Sequence, residues 1–152
     1  METIIYFGLL SIFLLVLTDL FVTLLELHTE STATSAVVQD SRFILARLEY
    51  DVTRASSIIT PANLGATSGA LSVLIGGVTT TYALSDGNFQ LTNNWGTDNL
   101  NSSETTITSS SFQRLGNSGG KDTIKLYLLI NSLTPAGAAP ETRTLQTTIG
   151  RR

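Results

Sequence analysis

Residues 1–27, METIIYFGLLSIFLLVLTDLFVTLLEL, carry three acidic side chains, Glu2, Asp19 and Glu26, and no basic one. Sixteen residues from Thr3 to Thr18 are uncharged, and after Asp19 the apolar run resumes with Leu20, Phe21, Val22, Leu24, Leu25 and Leu27. As a helix, Thr3 to Leu27 is roughly 37 Å long at about 1.5 Å per residue, against a hydrocarbon core of about 30 Å. Leu, Ile, Phe and Val surround its axis on every side, so a soluble amphipathic helix has no polar face to present. A buried core helix needs more chain around it than 152 residues provide. A secretory signal peptide fits poorly, because no Lys or Arg precedes the run and the run exceeds the roughly 7 to 15 residues such peptides use. The stretch therefore reads as a membrane-compatible helix. Its isolated Glu2 and Asp19 need explaining, since a carboxylate in lipid costs on the order of 2.5–3.5 kcal/mol.

The opening Met1-Glu2-Thr3-Ile4-Ile5-Tyr6-Phe7-Gly8-Leu9-Leu10 resembles the start of the type IV pilin and pseudopilin family. There a glutamate near the mature N terminus opens an apolar helix that continues into a globular domain. Glu2 matches that glutamate, and the resemblance covers roughly residues 1–57. It implies export, cleavage and N-methylation by a prepilin peptidase, and a pilus assembly machinery acting on a membrane-held subunit. It also implies a short basic leader ending in glycine upstream of Met1, followed by a Phe-Thr-Leu-like segment. A carboxylate buried among packed helices requires a cation, and this helix has none of its own. Glu2 is accordingly expected to pair with the N-terminal amine of a neighbouring subunit. Leu9, Leu10, Phe13, Leu14, Leu17, Phe21 and Leu24 are the expected packing residues of the assembly.

Past the apolar stretch, Glu26 to Ser35 is polar enough to mark emergence from the membrane, and no residue there breaks a helix. Across Ala36 to Ile59 the pattern turns amphipathic: Val37, Ile44, Leu48, Val52, Ala55 and Ile59 recur at helical spacing, opposite Gln39, Arg42, Glu49, Thr53 and Arg54. Arg47 with Asp51, and Asp51 with Arg54, are placed to pair along the surface. The spacing predicts one helix to about Ser57, divided into a transmembrane or filament-core half (1–27) and an amphipathic half (28–59). Residues 60–152 form the remaining globular part.

Pro61 and Gly65 end the helical pattern, and Thr60 to Gly69 reads as a connecting loop. Strand signals follow. Ala70 to Ile75 and Val78 to Leu84 flank Gly76-Gly77, and Ser85-Asp86-Gly87-Asn88 turns the chain into Phe89 to Thr92, which together make a meander. Asn93 to Ser103 is expected as an exposed loop with the sole tryptophan, Trp95, folded back onto the sheet edge or offering a surface contact. Asn101-Ser102-Ser103 matches the glycosylation acceptor pattern. Glu104 to Leu115 is expected to point Ile107 and Phe112 inward. Gly116 to Gly120 is a turn before the most apolar strand, Thr123 to Ile130, expected at the centre of the sheet against the helix. A loop at Pro135 to Pro140, a last strand at Thr142 to Ile149 and a solvated tail at Arg151-Arg152 complete the chain.

The chemistry of an enzyme is missing from the pattern. His28 is the only histidine, and Glu26 and Glu30 lie two residues to either side, off its helical face. Ser109-Ser110-Ser111 has no histidine base in reach of sequence, and the 116–120 glycines lack the lysine and helix of a phosphate loop. With no cysteine, disulfides and thiolate sites are excluded; with a net charge of −3 and no basic cluster, nucleic acid is not an expected partner. No metal or cofactor is expected. The expected fold is α+β: a long N-terminal helix packed by its second half on an antiparallel sheet. The expected function is a structural subunit of a type IV pilus-like filament, a helical homo-oligomer drawn from the cytoplasmic membrane. The alternatives are a minor pseudopilin of a secretion system and a monomeric, membrane-anchored β-rich binding module.

Overall fold

The computed structural model describes residues 2–117, 119–136 and 139–152. A single helix, α1, runs from Glu2 to Arg54, 53 residues and roughly 80 Å. Its last turn carries Arg54, a cation placed against the negative end of the helix dipole. The helix stops about three residues before the expected Ser57. The β-branched run Ile58-Ile59-Thr60 favours an extended chain, and Ser56 N donates to Leu74 O at 2.7 Å, pulling the chain into β1 (Ser57–Thr60). Ile59, expected on the helix's apolar face, is instead an exposed residue of that strand.

Two antiparallel sheets follow where one was expected. The first has the order β1-β3-β4-β5-β6, with β3 at Leu71–Ile75, β4 at Val78–Ser85, β5 at Asn88–Asn93 and β6 at Gly96–Asn99. The second has the order β2-β7-β8-β9, with β2 at Thr67–Ser68, β7 at Thr105–Leu115, β8 at Thr123–Ala136 and β9 at Ala139–Gly150. The meander of β3, β4 and β5 stands where the glycine turns put it. The supposed 60–69 loop holds β2, and the supposed 93–103 loop holds β6, because short polar strands lack the apolar alternation by which strands are read.

The core lies between α1 and the inner faces of both sheets. Strand β8 sits between β7 and β9 and packs on α1, presenting Ile124, Leu126, Leu128 and Ile130 inward at period two. Ile107 and Phe112 of β7 are both buried although five residues apart, which a regular strand forbids. A register shift between Ile107 and Ser109 restores the inward face. Rings join the sheets: Tyr82 stacks on Phe89 at 6.0 Å, and Phe89 on Phe112 of the second sheet at 6.2 Å.

On the helix, Ala33, Ala36, Val37, Ile44, Leu48 and Val52 are buried. So are Asp40 and Asp51, the second of which was expected to pair along the surface. Asp51 accepts from Arg47 Nε at 3.0 Å and from the buried Tyr82 hydroxyl, so its pair is a helix-to-sheet tie rather than a surface bridge. Arg54, the other expected partner of Asp51, lies over the Tyr50 ring at 4.7 Å. The terminal arginines are not a free tail. Arg152 N donates to Thr53 O at 3.3 Å, meeting one of the helix's unpaired terminal carbonyls, and Arg151 N donates to Asp122 O at 3.0 Å. Asp122 also binds Arg114 at 2.9 Å, whose Nη1 donates to the carbonyls of Ile58, Pro61 and Ala62. With Arg151 Nη2 also 3.8 Å from Asp122 Oδ2, one buried carboxylate and two guanidinium groups hold the helix exit, β7 and the C terminus together.

Of the expected loop at Pro135 to Pro140, residues 137 and 138 lie outside the described residues. On either side, Pro135 pairs with Pro140 and Ala136 with Ala139. The expected turn at Gly116 to Gly120 likewise includes Ser118, outside the described residues.

Candidate assembly helix

The expected packing residues lie on the part of α1 that leaves the globular domain. From Glu2 to Thr32 every residue is exposed, and Ala33 is the first that the domain covers. Every apolar side chain from Ile4 to Leu27 is exposed, between 47% and 72%, Leu9, Leu10, Phe13, Leu14, Leu17, Phe21 and Leu24 among them. Leaving a large apolar side chain in water rather than burying it costs roughly 1.5–3 kcal/mol. Summed over such a stretch this is tens of kcal/mol, against the roughly 5–15 kcal/mol by which a typical domain is folded. Water is therefore excluded as the resting surroundings of this helix. Lipid, detergent or other helices must cover it, and it is long and apolar enough to cross a membrane.

Its polar atoms are arranged for such surroundings. Ser11 Oγ donates to Phe7 O and Thr18 Oγ1 to Leu14 O, both at 2.8 Å, and Thr23 Oγ1 donates to Asp19 O at 3.0 Å. These three hydroxyls are satisfied within their own helix, as an apolar solvent requires. Thr29 and Thr32 repeat the pattern on Glu26 O and His28 O. Glu2, Asp19 and Glu26 lack this option, because a carboxylate cannot donate to a carbonyl. Among the described residues none of the three has an ion-pair partner. Met1, whose amine the expected Glu2 pairing invokes in a neighbouring copy, lies outside the described residues.

The domain offers two further places where function was expected. Trp95 does not fold back on the sheet edge; it is 83% exposed at the tip of the β5–β6 hairpin, its backbone N–H donating to Asn93 Oδ1 at 2.8 Å. Asn101, which opens the Asn101-Ser102-Ser103 acceptor pattern, is buried. Its Oδ1 accepts from Phe89 N at 2.8 Å and its Nδ2 donates to Thr105 O at 2.9 Å, so the amide that a glycan would occupy is engaged in the core. The short acceptor pattern gave no sign of this burial. Between the helix and β9, Leu45, Glu49, Thr53, Thr147, Ile149 and Arg152 line a cavity of about 290 Å³. Among the described residues no three His, Cys, Asp or Glu side chains converge on one point.

Sequence reasoning missed the aromatic face of the domain's half of α1. Phe43 and Tyr50 are 55% and 54% exposed, with Arg47 and Arg54 beside them on the same side of the helix. The signal was present as an aromatic pair seven residues apart, hidden because attention to the apolar stripe selects residues facing the core. Comparison of the chain with protein-family models, with characterised proteins and with solved structures finds no match, so the functional argument rests on its own residues.

Proposed function

We propose that the chain is a structural subunit of a type IV pilus-like extracellular filament, held in the cytoplasmic membrane by its N-terminal helix before assembly and polymerising through that helix. The observation that carries this reading is the uncovered apolar half of α1, Glu2 to Thr32, rigidly continuous with a helix that is one wall of a folded domain. A simple anchor needs a span of about 20 residues and a linker. Here no linker intervenes, which is what a subunit needs if packing of its helix is to fix the position of its head. Lipid contact is then replaced by contact with the helices of other copies, and both environments satisfy the same apolar surface. By the same resemblance, a prepilin peptidase and a pilus assembly machinery are its partners, and Glu2 meets a neighbour's terminal amine.

Shearing cells that express the chain, followed by electron microscopy with an antibody to the globular domain, tests the proposal. Labelled fibres are the expected result. Recovery of the chain only as detergent-soluble monomers refutes it. Trp95 favours the second reading, an anchored binding module, in which the hairpin tip contacts a ligand. That reading predicts monomers whose binding is lost with Trp95→Ala.

A further inference from the structure

The acidic groups of the exposed half of α1 and the arginines of its domain half have matching spacing. Asp19 and Glu26 are seven residues apart, and so are Arg47 and Arg54. At about 100° per residue, each pair occupies one side of the helix, its members within about 20° of each other. Arg47 follows Asp19 by 28 residues, and Arg54 follows Glu26 by the same 28. From Glu2 to Ser41 the helix has no Lys or Arg at all, and its first basic residue is Arg42. The two acids, which have no ion-pair partner within one copy among the described residues, thus match in spacing two arginines of another.

We infer that a second copy of this chain docks its apolar half, in parallel, on the Phe43–Arg47–Tyr50–Arg54 face of the first, displaced by 28 residues, about 42 Å along the axis. Asp19 then lies level with Arg47, and Glu26 with Arg54. Phe43 and Tyr50 meet the apolar side chains flanking the two acids. The inference rests on the assembly reading above and adds the register and the residues that set it.

Three observations agree with this displacement. Arg47 keeps its Nε on Asp51, yet its side chain is 42% exposed, and Arg54 is exposed over the Tyr50 ring, so both guanidinium groups are accessible to a second carboxylate. The domain covers α1 from Ala33 to Val52, roughly 30 Å of axis, which is shorter than the displacement of about 42 Å. The two contact faces are different surfaces of one helix, the acids about 80° around from the arginines, so the contact is heterologous and repeats without closing on a pair. It also resolves the problem of Asp19, an acid in the middle of an apolar run that is costly in lipid. Leaving the bilayer exchanges an unpaired carboxylate for a charge-assisted pair.

The absence of cysteine makes the register directly measurable. Helices packed about 8–10 Å apart bring facing Cα atoms within disulfide reach. The full-length chain is made with Glu26→Cys and Arg54→Cys together, and separately with Asp19→Cys and Arg47→Cys, each leaving the other charge pair intact. A Glu26→Cys, Arg42→Cys chain, with a 16-residue offset, is the control. After mild oxidation of sheared material, the first two are expected to give a ladder of covalent multimers on a denaturing gel and the control only monomer. Fibres that form but cross-link in the control, or in neither test pair, overturn the register while leaving assembly standing. Absence of fibres from the unmodified chain overturns both. As a second readout, Glu26→Arg or Arg54→Glu alone is expected to lose fibres and the double exchange to recover them; failure of the exchange to recover them counts against the pairing.

Discussion

Tyr82→Phe removes one oxygen from the tie between helix and sheet, and its cost depends on pH in a calculable way. The ring is fully buried on Phe89, and its hydroxyl donates to Asp51, which also holds Arg47 Nε at 3.0 Å. A hydrogen bond to a charged acceptor contributes about 1.5–3 kcal/mol. Phenylalanine fills the same space, and Asp51 keeps its arginine, so a loss of about 2 kcal/mol is expected near neutral pH. Burial first, and then the bond to Asp51 and its charge, push the Tyr82 phenol well above its ordinary value of 10.0, with Arg47 opposing. A group whose folded value is raised contributes stability that is complete below the unfolded value and falls away above it. Between those two values wild-type stability drops by about 1.4 kcal/mol per pH unit. The variant has no phenol there, and every other titration is common to both chains. The difference of about 2 kcal/mol therefore vanishes about one and a half units above pH 10, and the phenylalanine chain is the more stable beyond. Urea unfolding of the two full-length chains in detergent, followed by circular dichroism from pH 7 to 12, measures this. A difference that stays constant across the alkaline limb refutes the reasoning.

Four other substitutions probe the exposed helix, the core and a turn. Phe21→Lys places a charge near the middle of the exposed helix at about 2.5–3.5 kcal/mol in lipid. That cost is small beside the tens of kcal/mol of the apolar stretch, so the chain is expected to stay in the membrane fraction on flotation, with the domain's hydrogen-exchange protection unchanged. Leu128→Ala opens the core of β8 and is expected to cost about 2–5 kcal/mol by urea unfolding, whereas Leu24→Ala, outside the core, is expected to change domain stability by less than about 0.5 kcal/mol. Gly87→Ala puts a side chain at φ +77° with its Cβ 2.5 Å from Thr106 Oγ1, so a loss of at least about 1 kcal/mol is expected, read as a lowered Tm.

The order of elements was legible wherever apolar spacing or turn chemistry carried it. The helix announces itself through Thr3 to Leu27, β8 through Ile124 to Ile130, and the meander through Gly76-Gly77 and Asp86-Gly87. Asp86 adopts φ +49° and Gly87 +77°, as such a turn demands. What stayed hidden depends on contacts distant in sequence. Nothing local marks Asp40 as buried, because its partners, Ser102 and Thr105, lie more than 60 residues away. β6 has no buried residue and is held by pairing with β5 alone, so no apolar pattern could reveal it. The second sheet escaped for a related reason: hairpin signals fix neighbours, while nothing local marks the break between β6 and β7, whose two sheets meet through contacts such as Phe89 on Phe112. On the assembly helix, the apolar residues were plain from composition. The Phe43–Tyr50 face was not, since exposure is a property of where the sheets stop.

The two buried aspartates explain how a head can be held in phase with an exposed rod. Asp40 and Asp51 are 11 residues apart, three turns, and so lie within about 20° of each other around α1. Asp40 accepts from Ser102 N at 2.9 Å, Ser102 Oγ at 2.8 Å and Thr105 Oγ1, tying the helix to the start of β7; Asp51 ties it to β4 through Tyr82. Apolar packing alone is non-directional and tolerates a small rotation of a helix in its groove, but two directional anchors about 16 Å apart along the axis do not. Rotation of the domain half is rotation of the exposed half, because no break separates them. Asp40→Ala leaves the Thr105 hydroxyl without its acceptor in a buried site and returns the exposed Ser102 to water, so about 1–3 kcal/mol is expected, most of it from Thr105. The apolar half of the helix is untouched, so partition into the membrane fraction is expected to be that of the wild type. Fibre yield is expected to fall by more than the loss of folded domain accounts for, since copies with a rotated rod cannot share one register. Fibres in proportion to folded domain, measured by proteolysis of the same sample, would show that the anchors stabilise the domain and do nothing to orient the helix.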